Sequence, residues 1–276
     1  MGPWIWTNYP QQLAPVGQGK AASASPAVCQ RPQLEQETLI DENCVLGSGE
    51  PTALLYGDSN ATHYIGFASA LAETAGLTMR NFEHSACPPI LTDPEPYVQK
   101  RFLESCRYSL EKVRPLLAAY EVVFLGASWP FYERYGKRAG ASFERDVRDF
   151  IKFLTDEGVR VVVLAKVPIQ KNVDNKCAMK AVKAPWIICN LPEGSPRRDI
   201  QFNQVLADIA DQNDLVRVID PTDMLCDTKT CHAFEEGMPL YFDSGHLNFK
   251  GSWILGRRFA KSAEGAEIIS FIRPTE

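Results

Sequence analysis

Two near-continuous apolar runs, at residues 122–127 and 159–167, constrain this chain more than any other feature. They are of strand length, far short of the about 18 consecutive apolar residues that a membrane span needs. Their lack of alternation predicts strands buried on both faces. Segments with helical spacing lie around them. Residues 62–75 place Ile65, Ala68, Leu71 and Ala72 on one face, and residues 99–119 do the same with Leu103, Leu110, Val113 and Leu117. The same reading predicts strands at 53–56, 77–82, 121–125, 159–165 and 215–219, with helices at 141–156, 196–212 and 249–263. Buried strands alternating with amphipathic helices imply an α/β domain, a doubly wound parallel sheet covered on both faces. Residues 166–195 lack either period and are expected as an irregular insertion over the carboxyl edge of the sheet.

Residues 1–49 differ from the rest. They are rich in Pro, Gln, Ala and Ser and show no periodicity, so they are expected as an extended lead-in that packs on a domain spanning 50–276. The formal net charge of −5 leaves no basic stripe for a nucleic acid, and none is expected as a partner. Eight cysteines with no CxxC pair read as disulfides of an oxidising compartment rather than a metal cluster. Sequence does not fix their connectivity. The local pairs Cys29–Cys44, Cys87–Cys106, Cys177–Cys189 and Cys226–Cys231 close the shortest loops. Cys226-x₄-Cys231-His232 has no fourth ligand at zinc spacing, so no metal is expected there. The first residues lack the basic and apolar regions of a signal peptide. Either the thiols are free in a cytosolic protein, or the chain is a soluble part of a longer exported one.

In a parallel sheet, ligands gather at the carboxyl ends of the strands. The first such loop reads Tyr56-Gly57-Asp58-Ser59-Asn60. A serine on a strand-to-helix turn presents its hydroxyl where backbone N–H groups favour developing negative charge. By itself this is also an ordinary capped turn. Near the other end stands Asp243-Ser244-Gly245-His246, just before the last expected helix. An Asp three residues ahead of a His holds the imidazole in the tautomer that accepts a proton. Ser59, His246 and Asp243 are therefore the expected catalytic residues. His63 is read as a packed or solvated histidine, and the role of His84 stays open. Trp129, Phe131, Tyr132 and Trp186 are candidates for stacking on sugar rings, or equally for packing.

These motifs resemble the SGNH/GDSL hydrolase superfamily, and in particular the periplasmic SGNH domain at the C-terminus of bacterial acyltransferase-3 membrane proteins. Gly57-Asp58-Ser59, Ser85-Ala86-Cys87-Pro88-Pro89, a third strand leading to Trp129, and Asp243-x-x-His246 fall in the order of that subgroup over roughly residues 50–262. The resemblance implies a three-layer α/β/α flavodoxin-like sandwich and a catalytic domain at 50–276. It also implies O-acetyl transfer to a sugar hydroxyl of a cell-envelope polysaccharide such as lipopolysaccharide. The acyl donor would come from an upstream membrane domain, and the chain would sit in the periplasm, tethered to the inner membrane by residues 1–49. The alternatives are a secreted carbohydrate esterase and a catalytically silent carbohydrate-binding domain. No cofactor is implied, and the sequence has no glycine-rich phosphate cradle.

The chain departs from the superfamily pattern in two places. The Gly-x-Asn of the third block, whose amide helps hold the oxyanion, stands here as Gly126-Ala127-Ser128. The second-block glycine is missing, which leaves Asn81 and the backbone near Ser85 as candidates. Ser128, Asn81, Ser85, Asn60 and Trp129 are thus the expected oxyanion or substrate-binding residues. Asn60, where the subgroup has His, shapes the acceptor site or caps the helix.

Overall fold

Gly57 and Gly126 end two neighbouring strands, and no side chain fits at either. Gly57 has φ +141°, and a Cβ there would lie 1.7 Å from the Gly126 carbonyl oxygen; one on Gly126 would lie 2.8 Å from the Ala61 backbone. The two strands and the following helical turn therefore meet at backbone contact. The computed structural model describes residues 21–170, 201–227, 230–235 and 238–274, with Lys180, Ala184, Trp186 and residues 191–192.

The central sheet comprises β1 (Gln30–Arg31), β2 (Val45–Leu46), β3 (Ala53–Gly57), β4 (Met79–His84), β5 (Val122–Gly126), β6 (Arg160–Leu164) and β7 (Val216–Ile219). Their order is β1-β4-β3-β5-β6-β7, all parallel, while β2 pairs antiparallel with the start of β4. The helices that flank the sheet or carry the site are α1 (Ser59–Thr62), α2 (Ile65–Ala75), α3 (Lys100–Val113), α4 (Trp129–Ala139), α5 (Phe143–Asp156), α6 (Gln201–Ala210), α7 (Phe249–Phe259) and α8 (Ala263–Ile272); two short helical turns, Gln36–Ile40 and Thr222–Leu225, lie apart from them. Leu55, Phe124 and Val162 pack with α2, α7 and α8 on one face; Leu54, Val123 and Val163 pack with α3 to α6 on the other. Residues of both parities along β3, β5 and β6 are buried, which is why these strands read as continuous apolar runs. The three-layer α/β/α architecture is as expected.

Several boundaries differ, for local reasons. The helix expected at 62–75 is split into α1 and α2 around His63 and Tyr64, whose hydroxyl donates to the Ala165 carbonyl at 2.8 Å. The helix expected at 99–119 ends at Val113 and tightens to a 3₁₀ turn, Arg114–Ala119, where Pro115 lacks an N–H. β4 lies two residues later than expected. α4 was not anticipated, because its apolar residues are few; Pro130 in the first turn suits its start. The closing helix stops at Phe259 and a separate α8 follows, capped by the Ser262 hydroxyl on the Gly265 N–H.

Residues 21–49 pack on the outer edge of β4. β1 lies beside Glu83 and His84, and β2 beside Met79 and Arg80. Leu34 and Leu39 are buried in the core. Asn81 clamps this segment: its carbonyl accepts from the Cys29 N–H, and its amide donates to the carbonyls of Ala27 and Cys44, all at 2.8 Å. Cys29–Cys44, Cys87–Cys106 and Cys226–Cys231 form disulfides. The expected Cys177–Cys189 pair and most of the 166–195 insertion lie outside the described residues.

Glu83 is fully buried beneath this edge, and neither carboxylate oxygen has a hydrogen-bond partner among the described residues. Burial raises its pKa well above the ordinary 4.5, against the opposing charge of Arg31. A raised carboxyl pKa in the fold contributes stability that is complete below the unfolded value and lost as pH rises through the folded one. Glu83→Gln, which cannot ionise, should therefore gain on the wild type as pH increases. Thermal melts should show the gap widening from about pH 4 to about pH 8; a gap independent of pH would contradict a titrating Glu83.

Candidate active site

The turn after β3 is held by a buried carboxylate. Asp58 caps α1: its Oδ1 accepts from the Asn60 N–H at 2.7 Å and from the Asn60 side-chain amide at 3.2 Å. Its Oδ2 accepts from the Ser128 N–H at 3.0 Å and the Tyr132 hydroxyl at 2.7 Å. The loop after β3 is thereby bolted to the loop after β5. Ser59, the first residue of α1, is left partly exposed at the carboxyl edge.

From the opposite end of the chain comes the turn before α7. Asn248 caps that helix by accepting the Gly251 N–H at 2.7 Å, and the Phe242 N–H closes the turn on the His246 carbonyl at 2.8 Å. Asp243 Oδ1 accepts the N–H groups of Gly245 and His246 at 2.8 and 2.9 Å. Both Asp243 oxygens lie 2.9 Å from His246 Nδ1, and His246 Nε2 lies 3.0 Å from Ser59 Oγ. Burial pushes the Asp243 pKa up, but the imidazole and the two backbone donors together hold it below the usual carboxylate value. An ionised Asp243 accepts a hydrogen bond from Nδ1–H, so Nε2 carries the lone pair and accepts the Ser59 hydroxyl. The three residues form a hydrogen-bonded relay of the kind through which an imidazole can take a serine proton.

A cavity of about 170 Å³ opens beside this relay. Thr62, His63, Phe242 and Leu247 line one side; Ala21, Ala22, Ser23 and Gln30 of the lead-in line the other. Sequence gave no signal for Gln30, since nothing local brings residue 30 to Ser59. The contact arises through the pairing of β1 with β4, and the Gln30 amide donates to the Ser85 hydroxyl at 2.9 Å.

His63 is packed, as read, but it also lines the cavity. Its Nδ1 accepts the Leu247 N–H at 3.2 Å, and its ring stands edge-on to that of His246 with centroids 5.6 Å apart. Burial, then the charges of Lys166 and His246, lower its pKa well below the usual value, so it stays neutral. His84, also buried, is held down in pKa chiefly by burial and is not part of the cavity wall.

Other expected binding residues are placed elsewhere. Asn81 is not an oxyanion donor; its amide is spent on the lead-in backbone. Trp129 does not meet solvent: its indole N–H donates to the Leu164 carbonyl at 2.9 Å, and the ring stacks on Phe202. Tyr132 is buried against Asp58, Phe131 stacks on Tyr135, and Trp186 is exposed. Asn60 does not cap α1, since Asp58 does; its side chain instead joins Asp58 to Lys166. The Ser128 hydroxyl makes no hydrogen bond among the described residues, and the Ser85 hydroxyl is one bond removed from the cavity through Gln30. Ala86 has φ +60°, a left-handed conformation uncommon for a residue that carries a Cβ. The Cys226–Cys231 disulfide removes both thiolates that zinc would need, and His232 pairs with Asp227 at 2.8 Å.

The model of the family of SGNH domains fused to AT3 domains matches residues 28–261. The fold is similar to the periplasmic domain of a lipopolysaccharide acetyltransferase from Salmonella ser. Paratyphi A. That match has a TM-score of 0.61 and 17% identity, and covers 95% of this chain and 96% of the other. Weaker likenesses are to a Streptococcus pneumonia protein assigned as a platelet activating factor and a Bacteroides fragilis protein assigned as an acylhydrolase. Their TM-scores are 0.42 and 0.41 at 16% and 12% identity, over 80% and 79% of this chain and 85% and 86% of theirs. No curated protein sequence matches the chain.

Asp58→Ala should lower stability by on the order of 3 kcal/mol, because it strands the buried Tyr132 hydroxyl and the Ser128 N–H. Urea unfolding of the variant measures this; a loss below about 1 kcal/mol would mean the carboxylate is not what joins the two loops.

Proposed function

Because the chain belongs to the family of SGNH domains fused to AT3 domains, we propose that it transfers an acetyl group to a saccharide hydroxyl through Ser59. The observation that carries this reading is the Ser59–His246–Asp243 relay at 3.0 and 2.9 Å. Ser59 Oγ attacks the carbonyl carbon of the acyl donor while its proton passes to His246 Nε2. The new Oγ–carbon bond forms, the donor's ester bond breaks, and His246 returns the proton to the leaving oxygen. The acceptor hydroxyl then gives its proton to Nε2 and attacks the acyl-serine; the Oγ–carbon bond breaks, and Ser59 Oγ takes that proton back from Nε2. Asp243 stabilises the imidazolium in both halves.

The Ser59 N–H at the start of α1 is a donor for the oxyanion, with the Ser128 hydroxyl and the backbone at Ser85–Ala86 as its neighbours in role. The cavity beside the relay is the acceptor site. Its Gln30 amide and Ser23 hydroxyl are neutral groups of the kind that meet sugar hydroxyls. Three disulfides among the described residues support an extracytoplasmic setting. No helix among the described residues is long and apolar enough to cross a membrane. The family architecture supports delivery of the acyl group by an upstream AT3 domain, and the Salmonella likeness supports a cell-envelope polysaccharide as acceptor. Residues 1–49 would then be the tether to that membrane part.

The test is acetylation of envelope saccharides, followed by mass spectrometry, with the membrane-fused protein carrying Ser59 or Ser59→Ala. Wild type should acetylate a sugar, and the variant should lose at least about 10³-fold in rate. Acetate release without sugar acetylation would make the domain an esterase, and saccharide binding with no turnover a silent lectin-like domain.

A further inference from the structure

We infer that Lys166 is a positioning residue that sets the alignment of Ser59 with His246. The inference rests on the relay reading above. Lys166 follows β6 and is only 5% exposed. Its backbone is fixed by one side chain: its N–H donates to Asn203 Oδ1 at 3.0 Å, and its carbonyl accepts from Asn203 Nδ2 at 3.2 Å. Asn203 is itself held by Asp220 Oδ2 at 2.9 Å. With the main chain pinned, the ammonium donates, among the described residues, to Asn60 Oδ1 and to the Gly245 carbonyl, the latter at 2.6 Å.

Those two acceptors are not arbitrary places. Asn60 is the residue after the nucleophile, and Gly245 is the residue before the base. One buried cation thus ties the two turns that must meet, which are separated by 185 residues in the chain (Asn60 to Gly245). Burying an ammonium is costly unless it is hydrogen-bonded, so a packed apolar side chain would be the cheaper filler if packing alone were needed. The room is also tight: a Cβ on Gly245 would sit 3.2 Å from Nζ. Without the ammonium, nothing else described joins Asn60 to Gly245 directly, and small errors in alignment of reacting groups cost rate steeply.

The test uses the whole chain and a fluorophosphonate probe, whose reaction with Ser59 reads serine–histidine alignment whether or not a sugar acceptor is known. Lys166→Met should stay folded at 25 °C by circular dichroism yet label Ser59 about 30-fold more slowly or worse. With p-nitrophenyl acetate, kcat should fall by a similar factor while KM stays within about threefold. If Lys166→Met does not fold, Asn60→Ala carries the test, with labelling expected to slow about tenfold. A folded variant that melts at lower temperature but labels at the wild-type rate would overturn the inference, because a merely structural lysine behaves that way. If wild-type Ser59 itself labels no faster than a surface serine, the relay reading fails instead, and the role of Lys166 fails with it.

Discussion

The Asp58 carboxylate accepts hydrogen bonds from three stretches of chain: its own turn through Asn60, the loop after β5 through Ser128, and α4 through Tyr132. Every bond involves a buried, charged acceptor, the kind worth roughly 1.5–3 kcal/mol each. Because Gly57 and Gly126 already bring the two strand ends to backbone contact, Asp58 has no freedom to sit elsewhere. Ser59 therefore has a fixed place. The remaining parts of the site are ways of bringing His246 to that place.

Two arms do so. One is the capped start of α7, whose Asn248 cap and Phe242–His246 closure make the Asp243 turn rigid. The other is the edge of the sheet, where the Cys29–Cys44 disulfide and the Asn81 clamp hold residues 21–49 against β4 and so set Gln30 in the cavity wall. A segment that reads as a lead-in thus forms part of the site. Its position follows from long-range strand pairing rather than from local propensity.

The legible parts of the chain were those whose chemistry is local. Ser59, Asp243 and His246 sit in two short turns with residue types that serve few other purposes, and strands buried on both faces leave a continuous apolar signature at Val122–Gly126. What was misread depends on side-chain direction. Trp129 stands at a strand end where a ligand would lie, but it opens α4 facing inward and packs on Phe202. Asn81 is polar and near the edge, yet its partners are main-chain groups more than thirty residues away. Lys166 lies within the apolar run 159–167 and belongs to no motif; only the fold shows its contacts with the turns that carry Ser59 and His246. α8 and α4 were missed because a serine cap and a proline start are weak signals next to an apolar stripe.

In the proposed reaction, acyl groups pass through the Ser59 oxygen. Rapid acid quench of the protein with an activated acetyl ester, followed by mass spectrometry of the peptide bearing Ser59, measures it directly. The expected result is an acetyl group on Ser59 that disappears when a saccharide acceptor is added before the quench. Acetyl transfer to the acceptor with Ser59 never acetylated, and undiminished in Ser59→Ala, would contradict it.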